Sequence, residues 1–541
     1  MHAKTAENSA SRVALVAGLI CLLVYLRALG CGFVNWDDQD YILNNIAIRT
    51  LDANLVSWAF TNHAVGWWMP LTWLSFALDY HFWGLNPLGY HLTNIVLHAV
   101  NTGLVVLIAA RVANYAVPES VSDCPRWLFA GALLLAGLLF GIHPLRVESV
   151  AWATERKDVL NGLFFFGAVL AYLRYVRKRD TGGAGAGRDY LLAVVLFCCS
   201  LMAKQVSVVL PVMLLVLDWY PLDRLRRMGL RAVLLEKVPF LALSVAMTVF
   251  TITIAMQDNA LALGLSFGQR LVISGNAVFE YVRLLLYPVG IIPVYIIPQP
   301  IPGAYTAKTI IAVLVCVGVA AGWKRAWLPA IWLCFLLPLV PVLAFTQNGI
   351  QAFAARFTYL PSVAPSIATA LALIVFLPKL AGAVGRWGQF FVVSLLVMVL
   401  VLYGLTTQRL ISVWHDSGTF WTRVIEYQPF DRAYFYRGLF HVDEGAYDAA
   451  VSDYTASLTL ALKDGFPEAF NIYAFRGEAL VKAGHYADAV ADFTTAIDRS
   501  PHPLYFHHRG LALQAQGRMA EAAADFLRAG QARGQMRWFP Q

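Results

Sequence analysis

The chain has 541 residues, 59% of them hydrophobic and 14% charged, with a mean hydropathy of +0.60. Soluble domains run nearer to about 45–50% apolar and about 25% charged, so this balance excludes an ordinary soluble protein and points to a multi-spanning membrane protein. The net charge of +8 does not mark a nucleic-acid partner, because Lys and Arg sit in short clusters between apolar runs, and the seven cysteines, odd in number and without a CxxC pair, read as small buried hydrophobes.

Apolar runs of about 20 residues mark candidate spans. The first, Val13 to Gly30, is read as a retained anchor rather than a cleaved signal peptide. Further runs lie near Asn94–Ala113, Trp127–Ile142, Leu160–Tyr175, Tyr190–Ala203, Val206–Tyr220, Val238–Ala255, Thr309–Gly322, Trp327–Phe345, Tyr359–Leu377 and Phe390–Leu405, eleven in all. Ala203-Lys204-Gln205 is a tight turn between two of them. Leu271 to Pro288 carries Asn276, Glu280 and Arg283 at helical spacing and is read as an amphipathic helix in the interface. The Pro-rich Ile292–Pro302 stretch cannot extend it.

With Lys4 and Arg12 in the cytoplasm, the basic clusters Arg174–Arg188, Arg224–Lys237, Lys324-Arg325 and Lys379–Arg386 fall on that side too, as the positive-inside rule requires. The Gly-rich linker Thr181–Gly187 is a flexible cytoplasmic loop. The outer side is richer in acids. Its first loop, 31–90, opens with Phe33-Val34-Asn35-Trp36-Asp37-Asp38-Gln39-Asp40-Tyr41. Carboxylates at a bilayer edge are costly unless solvated, paired or bound to something.

Residues 1–407 thus form the membrane domain, and 408–541 a second, polar and helical one. Three segments of that second domain resemble one another: Ala433–Gly438 with Glu444–Ala450, Ala474–Gly477 with Ala483–Ala489, and Phe506–Gly510 with Gln516–Ala522. A period near 34 residues with small and Gly-aromatic positions is the tetratricopeptide pattern. A short insertion is expected around Lys463–Glu468 of the first repeat. Such arrays stack helix pairs into a curved surface that holds a peptide or partner; the plainer reading is a cap that only stabilises the membrane part.

Polar residues gather on the outer side: Asp37 and Asp38, His91, the run His143-Pro144-Leu145-Arg146-Val147-Glu148 leading to Glu155-Arg156-Lys157-Asp158, then Lys204 and Arg356. Carboxylates beside a cationic cluster suit transfer of a sugar from a phosphate donor. A carboxylate (Asp37, Asp38 or Glu148) takes the acceptor's proton, while Arg356, Lys204, Arg156 and Lys157 hold the departing phosphate. A divalent cation on Asp38, Glu148 and His143 is a further way to share that charge. His143 and His91 are substrate or metal contacts in this reading. Each residue has a plainer alternative. Asp38 solvates or caps a loop, His143 ends a span, Glu148 pairs with Arg146 or Arg156, Arg156 and Lys157 anchor at the interface, and Lys204 snorkels. Trp67 and Trp68 read as aromatic belt, and Asp218 as structural.

Phe33–Tyr41, Trp58–Thr61, Met69–Trp73, Gly84–Pro87, Tyr90–Asn94, His143–Asp158 and Arg356–Pro361 together resemble the tetratricopeptide-repeat O-mannosyltransferase-like proteins, similar to the eukaryotic transmembrane-and-tetratricopeptide mannosyltransferases of the GT-C superfamily. The resemblance implies an all-α GT-C fold, a polyprenyl-phosphate sugar donor and catalysis outside the bilayer. It maps the catalytic acid onto Asp37-Asp38 and a donor-phosphate contact onto Arg356. Many relatives carry an acid before that arginine; Ala355 stands there in this chain, so no acid role transfers to position 355. The expectation is a bacterial inner-membrane transferase with periplasmic site and repeats, moving a monosaccharide such as mannose to a protein. Transfer to a lipid or glycan, a membrane scaffold, and a lipid-linked sugar transporter are the alternatives.

Overall fold

A computed structural model of the chain describes residues 2–63, 66–257, 264–345, 350–463 and 470–535. They divide into two units, Met1–His415 and Asp416–Gln541. The first is a multi-pass membrane protein. Among the described residues eight helices are long and apolar enough to cross a bilayer: Ser9–Gly30, Pro87–Ala116, Ala153–Asp180, Ala186–Ala203, Leu230–Ile254, Gly303–Ala321, Val363–Leu380 and Gly385–Trp414. Arg126–Gly141 and Pro144–Ala151 are together long and apolar enough for a ninth, counted as one broken span bent by 48° where Pro144 interrupts the helix. The two remaining apolar stretches of the eleven expected, Gln205–Trp219 and Trp327–Val342, are helical but shorter than a full span.

Small residues let the first spans approach closely, as they do in other membrane bundles. A Cβ on Gly18 would lie 2.9 Å from the Ala99 carbonyl oxygen, and one on Gly141 would meet Thr102 at 2.6 Å. Polar side chains tie the same seam. The ring of His98 faces Tyr359 Oη and the Gly141 carbonyl, each at 2.8 Å, and Asn101 donates to Tyr359 Oη at 2.9 Å. At the far end of the bundle Asp218 is buried between Arg224 at 3.1 Å and Lys237 at 2.6 Å, a structural ion pair as expected. The Gly-rich linker is spanned by an ion pair between Lys178 and Asp189 at 2.7 Å.

Helix Phe267–Leu286 begins with a Ser266–Gln269 capping box and is not among the spans. Its apolar face, Ile273, Ala277, Tyr281 and Leu284, packs on Ile292, Tyr295, Phe335 and Phe353. The Pro-rich stretch after it leaves the helix and supplies a short strand, Tyr295–Ile296, antiparallel to Gln351–Phe353. The loop from Phe33 to Tyr90 has its own aromatic core around Trp73, with Tyr41, Ile48, Leu55, Phe76 and Tyr90.

In the second unit a lead helix, Ser417–Tyr427, precedes three antiparallel pairs: Asp431–Asp443 with Tyr447–Lys463, Phe470–Ala483 with Tyr486–Arg499, and Pro503–Ala515 with Met519–Gln535. The reason is repeated in each pair. Gly438, Gly477 and Gly510 carry no Cβ, and the rings of Tyr454, Phe493 and Phe526 fill that space; a Cβ would sit 2.7, 3.0 and 2.7 Å from them. Arg437, Arg476 and Arg509 each make a forked ion pair to an aspartate sixteen residues on, Asp453, Asp492 and Asp525. The expected insertion around Lys463–Glu468 lies outside the described residues from Asp464 onward.

Candidate active site

Connectivity brings one end of the spans together. The first ends at Gly30, the second starts at Pro87, the broken one ends at Ala151, the next starts at Ala153, and the fifth ends at Ala203. The last span returns to this end, where Trp414 stacks on Trp152 at 5.4 Å and the His415 carbonyl accepts from Gly32 N–H at 2.8 Å.

Adjacent Asp37 and Asp38 have different surroundings. Asp38 is 1% exposed. One of its oxygens accepts from Val34 N–H at 2.9 Å; the other accepts from Thr154 N–H at 3.0 Å and from the Thr154 hydroxyl. Burial pushes its carboxyl up to about 6, against the pull of these hydrogen bonds. It pins the first loop to the start of the fourth span. Asp37 keeps a third of its side chain exposed and lies 3.7 Å from Lys157 Nζ. Burial raises its carboxyl above the ordinary value, with Lys157 and Arg356 opposing.

Lys157 leads onward. Its ammonium lies 4.7 Å from the Tyr41 ring centre and 3.2 Å from Glu155. Arg356 reaches the same Glu155 oxygen at 3.2 Å, and Lys204 reaches its other oxygen at 3.4 Å and Asp158 at 2.5 Å. Arg356 is fixed further. Its backbone N–H donates to Glu148 at 2.9 Å, its guanidinium pairs with the other Glu148 oxygen, and Gln351 on the short strand accepts at 2.9 Å. Burial alone would lower Arg356; Glu148 and Glu155 outweigh it and hold the guanidinium charged. Asp37, Glu148, Lys157, Lys204 and Arg356 therefore share one cluster, with Glu155 at its centre.

Three expected contacts do not join it. Arg156 is fully buried and committed to Asp79 at 2.6 Å, Ser75 at 2.7 Å, the Tyr90 carbonyl at 2.8 Å and Asn94. It is one residue from Lys157 on a helix, so it faces elsewhere. His143 is buried; Leu145 N–H donates to its Nδ1, and its Nε2 faces the Leu285 carbonyl at 3.0 Å. His91 is buried against the Gly32 carbonyl at 3.3 Å. Nor do Asp38, Glu148 and His143 fit a metal ion, since each is bound to a different partner. Among the described residues no three His, Cys, Asp or Glu side chains are placed to hold one.

Glu155, Asp158 and Gln351 were not singled out as site residues by the sequence reading. The signal for the acids was their spacing: three apart at a helix start, they share one face. Gln351 had none, because its approach depends on the short strand pair.

Residues 476–535 match the tetratricopeptide repeat family. Protein O-mannosyl-transferase Tmtc1 of Drosophila melanogaster is 33% identical over 198 residues, 35% of this chain and 20% of that protein. Protein O-mannosyl-transferase TMTC1 of Homo sapiens is 32% identical over 233 residues, 40% and 24% of the two chains. Protein O-mannosyl-transferase TMTC4 of Homo sapiens is 29% identical over 205 residues, 35% and 27%. The chain thus matches between a fifth and about a quarter of the length of these relatives. No solved structure matches it. The chain is accordingly a multi-pass membrane homologue of the protein O-mannosyl-transferases that carries tetratricopeptide repeats.

Proposed function

We propose that the chain is a GT-C-type glycosyltransferase of a bacterial inner membrane. It moves a monosaccharide, mannose by its relatives' names, from a polyprenyl phosphate to a protein hydroxyl on the periplasmic face. The repeats hold the acceptor or a partner. Asp37 is the base: it takes the hydroxyl proton as the oxygen attacks the anomeric carbon and the bond from that carbon to the phosphate oxygen breaks. Arg356, Lys204 and Lys157 hold the charge that leaves with the phosphate. A lipid-borne donor accounts for a charged site at the ends of spans. The observation that carries this reading is the connection of Asp37 to Arg356 through Lys157 and Glu155, with Asp37 the open acid and Asp38 the closed one.

The test separates the two aspartates. Asp37→Asn inserts and melts like the parent and loses transfer by roughly 10²–10⁴-fold. Asp38→Asn keeps one acceptor oxygen and turns its amide N–H2 toward one of the two backbone donors, Val34 N–H or Thr154 N–H, and loses roughly 1–3 kcal/mol of stability. Full transfer by Asp37→Asn removes it as the base. Intact masses of surface proteins, compared with and without the gene, test the acceptor; unchanged masses throughout point to a lipid or glycan instead.

A further inference from the structure

Helix Pro70–Trp83, in the loop between the first two spans, is apolar on both sides. One side, with Trp73, Phe76 and Ala77, packs into the loop core. The other carries Leu71, Leu74, Leu78 and Phe82, spaced by three or four residues and so set in one row along the helix. Leu71 and Leu74 are half-buried, but Leu78 is 51% and Phe82 74% exposed. A helix that is hydrophobic all round needs cover on every side. Its one carboxylate, Asp79, is buried against Arg156 at 2.6 Å. Of the polar groups flanking the row, Ser75 accepts from Arg156, and His81 stands against the Phe82 ring.

The helix lies across the ends of the spans rather than away from them. Near its start, Thr72 donates to the carbonyl of Ala203, where one span ends, at 3.0 Å. Asp79 meets Arg156 at the start of a second. Just beyond Trp83, Pro87 opens a third. Exposed apolar side chains run on from the row through the turn, as Trp83, Leu85 and Leu88. They continue down the third span as Val96 and Val100, on the face of Leu88. The row is thus continuous with a surface that lipid covers. Trp67 and Trp83, exposed toward its two ends, are of the residue type that bilayer interfaces favour.

We propose that the row Leu71, Leu74, Leu78 and Phe82 is seated in the phospholipid leaflet at this end of the spans, so that the helix lies in the membrane interface with protein on one side and lipid on the other. The opposite side of the same helix carries Trp73, whose ring is 5.1 Å from that of Tyr41. The lipid contact therefore fixes the height of the turn that bears Asp37. This goes beyond the transferase reading and does not depend on it.

The test is photocrosslinking of the full chain in phosphatidylethanolamine–phosphatidylglycerol vesicles. A benzophenone amino acid replaces Leu78 or Phe82, and for comparison Val96 on the span or Asp488, exposed on the repeats. After irradiation, intact mass shifts by one phospholipid with the probe at 78, 82 or 96, and does not shift with the probe at 488. Melting checks that each protein is folded, and either row position decides alone if the other does not fold. No phospholipid adduct from a folded row variant overturns the proposal. A doubled mass in its place also overturns it, and makes the row a contact between two copies of the chain.

Discussion

Asp37 and Asp38 are neighbours whose surroundings are set apart by a contact made far along the chain. Thr154, 116 residues beyond Asp38, closes that carboxylate in with two donors and leaves Asp37 facing the lysine. The acidic run was legible from its composition and position, but the difference in burial between its two aspartates was not, since a contact of that range leaves no local pattern. Two outcomes belong at this scale. Arg356→Lys keeps the charge and loses the fork that engages Glu148, Glu155 and Gln351, so donor KM rises by roughly tenfold or more. Steady-state kinetics against donor concentration reads it. The second is a pH profile. Asp37 must be ionised to act as a base and its carboxyl stands above 3.8, so transfer falls as the medium is acidified through that raised value. A rate that holds down to the ordinary aspartate range excludes Asp37. Arg156, a cation in the same run as Lys157, shows the limit of reading charge from sequence: helix rotation sends it to Asp79.

Elements with strong periodicity were readable from the chain, and those shaped by breaks were less so. The eleven apolar stretches are all helical, but the sequence ended the third at Ile142, whereas the helix resumes at Pro144 and bends by 48°. That bend aims Glu148 at the turn bearing Arg356, where Arg146 also donates to Thr358, contacts between stretches 208 and 212 residues apart that leave no local pattern. The repeats were legible because their glycines recur at fixed offsets from aromatics. Gly477→Val puts carbon atoms into the ring of Phe493, where even a Cβ would stand at 3.0 Å. Overpacking of this kind costs roughly 1–3 kcal/mol. Hydrogen exchange on the full chain then rises in Phe470–Arg499 while the spans keep their protection; unchanged exchange there contradicts the packing argument.

At the scale of the whole molecule, the alternation of spans assigns sides. Asp52 lies between the first two spans and Thr181 between the fourth and fifth, so single cysteines at these positions react with an impermeant thiol reagent from opposite faces of the membrane. Labelling of both from one face breaks the span count. The repeats carry a different lesson. Arg437, Arg476 and Arg509 each bind an aspartate of the following helix and a threonine of the preceding one, Thr422, Thr455 and Thr494, at 3.2, 3.0 and 3.0 Å. Helix Ser417–Tyr427 offers the first of these threonines as though it closed an earlier pair. Every joint has the same male and female halves, so a whole pair of helices can be cut out or spliced in without altering either neighbour. The array can grow or shrink over evolutionary time in units of one repeat, and its reach can be retuned with no change to the sequence of the spans.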